Sequence, residues 1–272
     1  MIMMTLTNVI ITLLFLLNST LVLAQPPQNI FILAGQSNMA GRGGVKKGKW
    51  DGFIPSECNP NPNILRFTAQ NSWVLAHEPL HVDIDVGKTC GVGPGMGFAH
   101  GLLMLGGSEM GSIGLVPCAV GGTKISEWGR GTVLYNQLVR RAKAAGGKIG
   151  GVLWYQGESD TVNVEDAQGY KGRMEKFIGD LRSDLALPSL LIIQVALASG
   201  EGKYIEKVRE AQLGIKLANV KCVDAKGLRV GYDHLHLTTM SQVHLGLMLA
   251  RSYLNIHKHH DSLSTTSNSS LV

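Results

Sequence analysis

Apolar residues fall along this chain in two patterns, short continuous runs and longer runs with helical spacing. Continuous apolar runs bounded by glycine or polar residues are typical of buried strands, whereas apolar positions three and four residues apart indicate amphipathic helices. The predicted strands cover residues 29–33, 64–67, 73–75, 112–117, 151–155, 190–195 and 220–223. The predicted helices cover residues 96–105, 132–145, 164–185, 203–218 and 238–254.

Strands and helices alternate through the second half of the chain. This alternation predicts an α/β fold, a three-layer sandwich in which a central parallel sheet is flanked by helices. Ligands of such sheets bind outside the carboxyl ends of the strands, so motifs that directly follow a strand are candidates for the functional site. Residues 41–63 and 76–92 lack either pattern and are predicted to form loops beside that edge.

The two ends of the chain depart from this pattern. The first 24 residues contain no Lys, Arg, Asp or Glu, and an apolar run at residues 9–17 precedes small residues near Ala24. This predicts a secretory signal peptide over residues 1–24, although a positive side chain is missing at its start. The weaker alternative is a membrane anchor, which needs about 20 apolar residues. The serine-rich segment 257–272 is predicted to be a disordered tail, which leaves residues 25–256 as one domain.

Composition narrows the class of partner. The chain is 44% hydrophobic, which is enough for a sizeable core, and its formal charge is +5. The basic residues are scattered, with the densest group at Lys46, Lys47 and Lys49. Nucleic-acid binding requires a concentrated basic face with stacking aromatic residues, so this class is not favoured. A mildly basic protein suits contact with an acidic cell-wall polymer, or the charge serves solubility alone.

The chain has four cysteines, and export would permit disulfides among them. Four cysteines allow three complete pairings, which the sequence does not decide. Cys58 and Cys90 lie in Gly- and Pro-rich surroundings and are the favoured pair, whereas Cys118 and Cys222 end apolar runs and fit buried free thiols. No Cys-x-x-Cys motif occurs, so a structural zinc site is not expected.

A candidate nucleophile follows the first predicted strand. The sequence Gly35-Gln36-Ser37-Asn38-Met39 places Ser37 in a turn at the carboxyl edge of the sheet. A hydroxyl is exposed there, and the backbone N–H of the same residue can point toward the same space, as an oxyanion hole requires. Gln36 and Asn38 are expected to anchor this turn through hydrogen bonds.

A serine nucleophile requires a histidine base oriented by a carboxylate. Asp233 and His236 lie three residues apart just before the last helix, so one loop can present both side chains to Ser37. His234 is the competing base. Its side chain is expected to point elsewhere in most loop conformations, so we favour His236. The predicted catalytic residues are therefore Ser37, Asp233 and His236.

Two further segments offer donors for an oxyanion hole. Gly121 and Gly122 follow a strand and provide unhindered backbone N–H groups, and the motif that begins at Trp154 provides the Gln156 side-chain amide. Both segments are predicted at the same edge of the sheet as Ser37. Separate turn motifs that converge on one edge indicate one site.

Taken in order, these segments resemble the conserved blocks of the SGNH hydrolase superfamily. The resemblance rests on Gly35–Met39, Gly121-Gly122-Thr123 with Glu127-Trp128, residues 154–159 and Asp233-x-x-His236, and it spans about residues 29–254. More narrowly, the chain is similar to the sialate O-acetylesterase-like domain, including plant carbohydrate esterases of carbohydrate esterase family 6. This resemblance implies a flavodoxin-like SGNH fold and hydrolysis of acetyl esters on carbohydrate.

The resemblance also implies a role for each matched residue. Ser37 is the nucleophile, His236 the general base and then acid, and Asp233 the residue that orients His236. The oxyanion hole would consist of the Ser37 N–H, the Gly122 N–H and the side chain of Gln156, which replaces the asparagine of many SGNH enzymes. Glu158 is expected to support the Gln156 loop, with a catalytic carboxylate as the less favoured alternative.

The predicted function is thus a secreted serine esterase that acts on acetylated cell-wall carbohydrate without a cofactor, nucleic acid or membrane partner. Two alternatives stay open. The same site suits an acetyltransferase or an esterase of other acyl groups, and the fold alone suits a carbohydrate-binding protein without activity. Release of acetate to water separates hydrolase from transferase, and binding without turnover would favour the third class.

Overall fold

The computed structural model describes residues 26–267, with side chains described as far as Ile256. The predicted signal peptide, the last residues of the predicted tail and the histidines from residue 257 onward lie outside the described residues or side chains. No helix of the described part is both long and apolar enough to cross a bilayer.

The chain forms nine strands and six α-helices within the described residues. The strands are β1 Asn29–Gly35, β2 Val45–Lys46, β3 Lys49–Trp50, β4 Ile64–Phe67, β5 Trp73–Leu75, β6 Ile113–Pro117, β7 Ile149–Tyr155, β8 Ile192–Ala196 and β9 Val220–Asp224. The helices are α1 Ser37–Ala40, α2 Pro94–Gly106, α3 Val133–Ala145, α4 Val164–Asp184, α5 Ile205–Leu213 and α6 Thr239–Ser267. Short 3-10 helices cover Ser56–Cys58, Gly107–Met110, Ile125–Trp128 and Glu158–Thr161.

Seven strands form one sheet in the order β5-β4-β6-β1-β7-β8-β9, and β2 and β3 form a separate hairpin. All neighbours in the large sheet are parallel except the pair β4 and β5. The central strand β1 places Leu33 between Pro117 of β6 and Leu153 of β7. The carboxyl ends of these three strands therefore meet at one edge, directly before the loops that hold the candidate residues.

Helices cover both faces of this sheet. Phe31 of β1 makes edge-to-face contacts with Phe98 of α2 and Tyr253 of α6, with ring centroids 4.8 and 5.0 Å apart. Trp154 of β7 points to the opposite face and lies 4.6 Å from the ring of Phe177 in α4. Side chains alternate between the two faces along a strand, so these contacts define three layers. The predicted three-layer α/β fold is confirmed.

Three features differ from the sequence-based predictions. The last helix continues past its predicted end at residue 254 to Ser267, because neither glycine nor proline interrupts the chain after Gly246. The predicted loop 41–63 contains the β2–β3 hairpin. All four cysteines are free, so the favoured Cys58–Cys90 disulfide is wrong. The Cys90 thiol instead lies 3.6 Å from the Arg42 guanidinium and 3.6 Å from the carbonyl oxygen of His81.

Candidate active site

The nucleophile turn begins where β1 ends. Gly35 has a φ of +128°, and a Cβ at this position would lie 2.1 Å from the carbonyl oxygen of Tyr155. Only glycine fits this close approach between β1 and β7. The chain then turns into α1, whose first residue is Ser37, with 4% of its surface exposed. Within the described part of the chain, the backbone N–H of Ser37 has no protein acceptor, which leaves it available to a substrate oxygen.

Asp233 shapes the loop that carries His236. Its Oδ1 accepts hydrogen bonds from the backbone N–H groups of Leu235 at 3.1 Å and His236 at 3.0 Å. Gly231 donates its N–H to the carbonyl oxygen of His236 at 2.7 Å, which closes the loop just before α6. His234 occupies a left-handed position with a φ of +56° and is exposed. The loop therefore directs His236, and not His234, toward Ser37.

Ser37, His236 and Asp233 form one hydrogen-bonded chain. The Ser37 Oγ lies 2.9 Å from His236 Nε2, and His236 Nδ1 lies 2.7 Å from Asp233 Oδ2. Burial alone would raise the pKa of Asp233, but its hydrogen bonds from His236 and Leu235 outweigh burial and lower that pKa. The ionised carboxylate favours the tautomer with a proton on Nδ1, so Nε2 is free to accept the Ser37 proton.

Asn38 joins the nucleophile turn to the histidine loop. Its Oδ1 accepts the backbone N–H of Leu237 at 2.9 Å, and its Nδ2 donates to Glu158 Oε1 at 2.7 Å. Gln242 of α6 donates its Nε2 to the carbonyl oxygen of Asn38 at 3.1 Å. Because Leu237 directly follows His236, these bonds fix the position of His236 relative to Ser37. Burial raises the pKa of Glu158 to about 7.

Gln36 joins the nucleophile turn to the segment after β7. Its Oε1 accepts the side-chain amide of Gln156 at 3.1 Å and the backbone N–H of Gly157 at 3.2 Å. The Gln156 Nε2 also donates to the carbonyl oxygen of Thr123 and to Asp160 Oδ2, each at 2.7 Å. An amide nitrogen has two hydrogens, and protein acceptors engage both. In this arrangement Gln156 is a positioning residue. Its predicted role in the oxyanion hole requires a free side-chain N–H, and none is left.

The loop after β6 brings Gly121 and Gly122 beside Ser37. A Cβ on Gly121 would lie 3.4 Å from the Ser37 Cβ and 2.5 Å from Arg42 Nη2. The Gly121 N–H donates to Asp85 Oδ2 at 3.2 Å, and the same oxygen forms a buried ion pair with Arg42. The N–H of Gly122 has no protein acceptor in the described part of the chain. Of the three predicted oxyanion donors, the Ser37 and Gly122 N–H groups are thus the two without a protein acceptor among the described residues.

Sequence reasoning missed three residues of this site. Arg42 and Asp85 hold the Gly121 loop, and Asp160 accepts both the Gln156 amide and the backbone N–H of Ile125 at 3.0 Å. Burial raises the pKa of Asp160 to about 6. The only sequence signal was an arginine and two aspartates inside glycine-rich or apolar stretches, where an unpaired charge would be costly.

A three-layer α/β fold with a serine, histidine and aspartate in hydrogen-bond contact at the carboxyl edge of its sheet has the geometry that hydrolases with a serine nucleophile require. Among the described residues, no group of three or more His, Cys, Asp or Glu side chains is arranged to hold a metal ion.

Comparison with known proteins gives the family. Residues 27–255 match the family described as carbohydrate esterase, sialic acid-specific acetylesterase, and the chain belongs to that family. It is therefore a carboxylic ester hydrolase of the carbohydrate O-acetylesterase type.

The chain is similar to an Arabidopsis thaliana protein described as a probable carbohydrate esterase, with 59% identity over 239 residues that cover 85% of this chain and 92% of the relative. The X-ray structure of that Arabidopsis protein matches with a TM-score of 0.82 at 58% identity, covering 85% of this chain and 99% of the other.

Two more distant structures share the fold. NanS matches with a TM-score of 0.68 at 18% identity, covering 86% of this chain and 99% of the other. XAC1771, a carbohydrate acetylesterase from Xanthomonas citri, matches with a TM-score of 0.61 at 20% identity, covering 81% of this chain and 55% of the other.

Proposed function

We propose that this chain is a secreted serine esterase that removes O-acetyl groups from cell-wall polysaccharide such as acetylated xylan, through an acetyl-enzyme on Ser37. The observation that carries the proposal is the hydrogen-bonded chain from Ser37 Oγ through His236 to Asp233, with distances of 2.9 and 2.7 Å. Secretion is proposed from the sequence of residues 1–24, and it would bring the enzyme to the polysaccharide.

In the first half-reaction, Ser37 Oγ attacks the acetyl carbonyl carbon while His236 Nε2 takes the serine proton. Negative charge develops on the carbonyl oxygen, and the N–H groups of Ser37 and Gly122 stabilise it. His236 then gives its proton to the departing sugar hydroxyl, and the acetyl group remains bound to Ser37.

In the second half-reaction, water replaces the sugar. His236 takes one proton from the water as the water oxygen attacks the acetyl-enzyme carbonyl. The same two N–H groups stabilise the oxyanion, and His236 returns the proton to Ser37 Oγ as acetic acid leaves. Asp233 stabilises the positive His236 in both steps and does not itself take a proton.

The test is hydrolysis of acetylated xylan, 4-nitrophenyl acetate and 4-nitrophenyl butyrate by the mature protein. We expect acetate release from xylan and a preference for acetate over butyrate. A mixture that contains a second sugar acceptor separates the alternatives, since transfer would place acetyl on the acceptor instead of releasing acetate. Folded protein that hydrolyses none of the three esters would contradict the proposal.

A further inference from the structure

A lysine-bearing hairpin borders the loop of Asp233 and His236. We use the name lysine hairpin for residues 45–50, which comprise β2, β3 and the turn between them. The backbone N–H of Lys47 donates to Tyr232 Oη at 2.6 Å, and Lys46 Nζ lies 5.7 Å from the centre of the Tyr232 ring. Tyr232 directly precedes Asp233, so the hairpin lies against one side of the loop that carries the general base.

The hairpin lysines are exposed and have no acidic partner. Lys46, Lys47 and Lys49 are all exposed, and Thr89 Oγ1 donates to the carbonyl oxygen of Gly48 at 2.7 Å. That bond brings the exposed Lys88 to the same rim. None of the four lysines forms an ion pair with any described residue, so four positive charges without a carboxylate partner lie together on this rim. Asp51, beside Gly44, places one carboxylate at the base of the hairpin. One negative charge against four lysines leaves the rim positive overall.

These lysines occupy positions that local stability disfavours. Lys46 and Lys49 lie directly opposite each other in the antiparallel pair, where like charges are destabilising. Lys47 has a φ of +49° and Gly48 a φ of +72°, so both turn residues are left-handed. A turn of this kind favours Asn-Gly, and lysine is an unusual choice at its first position. Breaches of local rules concentrate at functional sites, because function and not stability selects the residue there.

We propose that the lysine hairpin is a binding subsite for carboxylates of an anionic polysaccharide, so that the preferred substrate is an O-acetylated polyuronide. This inference rests on the proposed function, since it names the polymer that presents the acetyl ester to Ser37. A polyuronide repeats a carboxylate on each sugar, which matches several unpaired lysines along one rim. Tyr232, which is 53% exposed, adds an amphipathic surface for a sugar ring between the hairpin and Asp233.

Matched substrates test the charge without changing the ester. Acetylated, methyl-esterified polygalacturonate is neutral, and enzymatic removal of its methyl esters exposes carboxylates while the acetyl groups stay. We expect kcat/KM for acetate release to be roughly 10-fold higher on the demethylated polymer, at the lower end of electrostatic steering. The polymer ratio is kcat/KM on the demethylated polymer divided by kcat/KM on the methyl-esterified polymer. This ratio should fall as the Debye length shrinks from about 30 Å at 0.01 M to about 8 Å at 0.15 M ionic strength.

Replacement of the hairpin lysines locates the effect. In the triple variant Lys46→Gln, Lys47→Gln, Lys49→Gln the ratio should approach one. The matched control, Lys143→Gln, Lys148→Gln, Lys216→Gln, removes the same charge from exposed positions toward the opposite edge of the sheet and should keep the wild-type ratio.

The single variant Lys47→Asn separates binding from structure. Asparagine suits the left-handed turn position, so we expect a higher melting temperature together with a lower ratio, whereas a purely structural lysine would give no change in the ratio. A wild-type ratio near one, in protein that hydrolyses 4-nitrophenyl acetate, overturns the inference and leaves the proposed function standing. Folded wild type without activity on any ester overturns both.

Discussion

Behind Ser37, four fully buried side chains form the hydrogen-bonded pairs Gln36–Gln156 and Asn38–Glu158, whereas the lysine side chains of the hairpin beside Tyr232 are exposed and form no ion pair. The buried network joins segments that lie more than a hundred residues apart in the chain, and it fixes distances between reacting groups. The two strands of the hairpin are neighbours in the chain, and their turn places Lys47 in the left-handed region. The comparison teaches that the geometry of the site depends on buried hydrogen bonds between distant segments, whereas the proposed choice of substrate depends on exposed charges without partners.

The largest expected effect comes from Asp233→Asn. Asparagine can still accept the backbone N–H groups of Leu235 and His236, so the loop should keep its shape. Its amide would face His236 Nδ1 and favour the tautomer in which Nε2 carries the proton, so that His236 cannot accept the Ser37 proton. We expect kcat to fall by about 10⁴ with unchanged circular dichroism. A loss below tenfold would show that Asp233 does not orient the base.

Gly121→Ala should have the next largest effect. The new methyl group would lie 2.5 Å from Arg42 Nη2, which is held by its ion pair with Asp85. The loop must shift, and the Gly122 N–H shifts with it, so we expect kcat for 4-nitrophenyl acetate to fall about 10²–10³-fold.

The matched control for this loop is Gly87→Ala, because a Cβ at Gly87 meets nothing within 4 Å. It should keep wild-type kcat. Equal activity of Gly121→Ala and Gly87→Ala would contradict the role given to the Arg42–Asp85 pair.

Glu158→Gln tests the buried network through pH. Burial raises the pKa of Glu158 to about 7, so the native state favours its protonated form. The stability that this protonation provides is complete below the ordinary carboxyl pKa and is lost as pH rises toward 7. Glutamine cannot ionise, so the variant should lose less stability between pH 5 and pH 8 than the wild type does.

Between pH 5 and pH 8, the melting temperature of Glu158→Gln should fall by roughly 2–4 °C less than that of the wild type, and this difference is the expected gain. Glu109→Gln, at an exposed position, should show no such gain. Parallel pH profiles of Glu158→Gln and wild type would mean that Glu158 is not buried in the protonated form.

The smallest expected effect is that of reducing agent. The four cysteines are free, and burial raises the pKa of Cys90 and Cys118 to about 11 each. Dithiothreitol should therefore leave the melting temperature unchanged, and native protein should react slowly with thiol reagents. A marked fall in melting temperature would reveal a disulfide.

Periodicity and motif spacing were sufficient to predict the three-layer fold and to select Ser37, Asp233 and His236 as one group. They were not sufficient for Gln156, because the sequence shows an amide but not the three acceptors that surround its nitrogen. Arg42 and Asp85 are 43 residues apart, and only the folded loop reveals that both hold Gly121. The β2–β3 hairpin was missed because Lys47-Gly48 is not the Asn-Gly turn that sequence rules recognise.

In the proposed mechanism, Ser37 carries the acetyl group during turnover. Acid quenching of the enzyme during hydrolysis of 4-nitrophenyl acetate, followed by peptide mass spectrometry, tests this most directly. We expect one acetyl group on the peptide that contains Ser37 in the wild type and none in Ser37→Ala. The matched control is Ser126→Ala, because Ser126 is an exposed serine at the same edge of the sheet, and this variant should be acetylated like the wild type. Acetylation at another residue, or full hydrolysis by Ser37→Ala, would contradict the account.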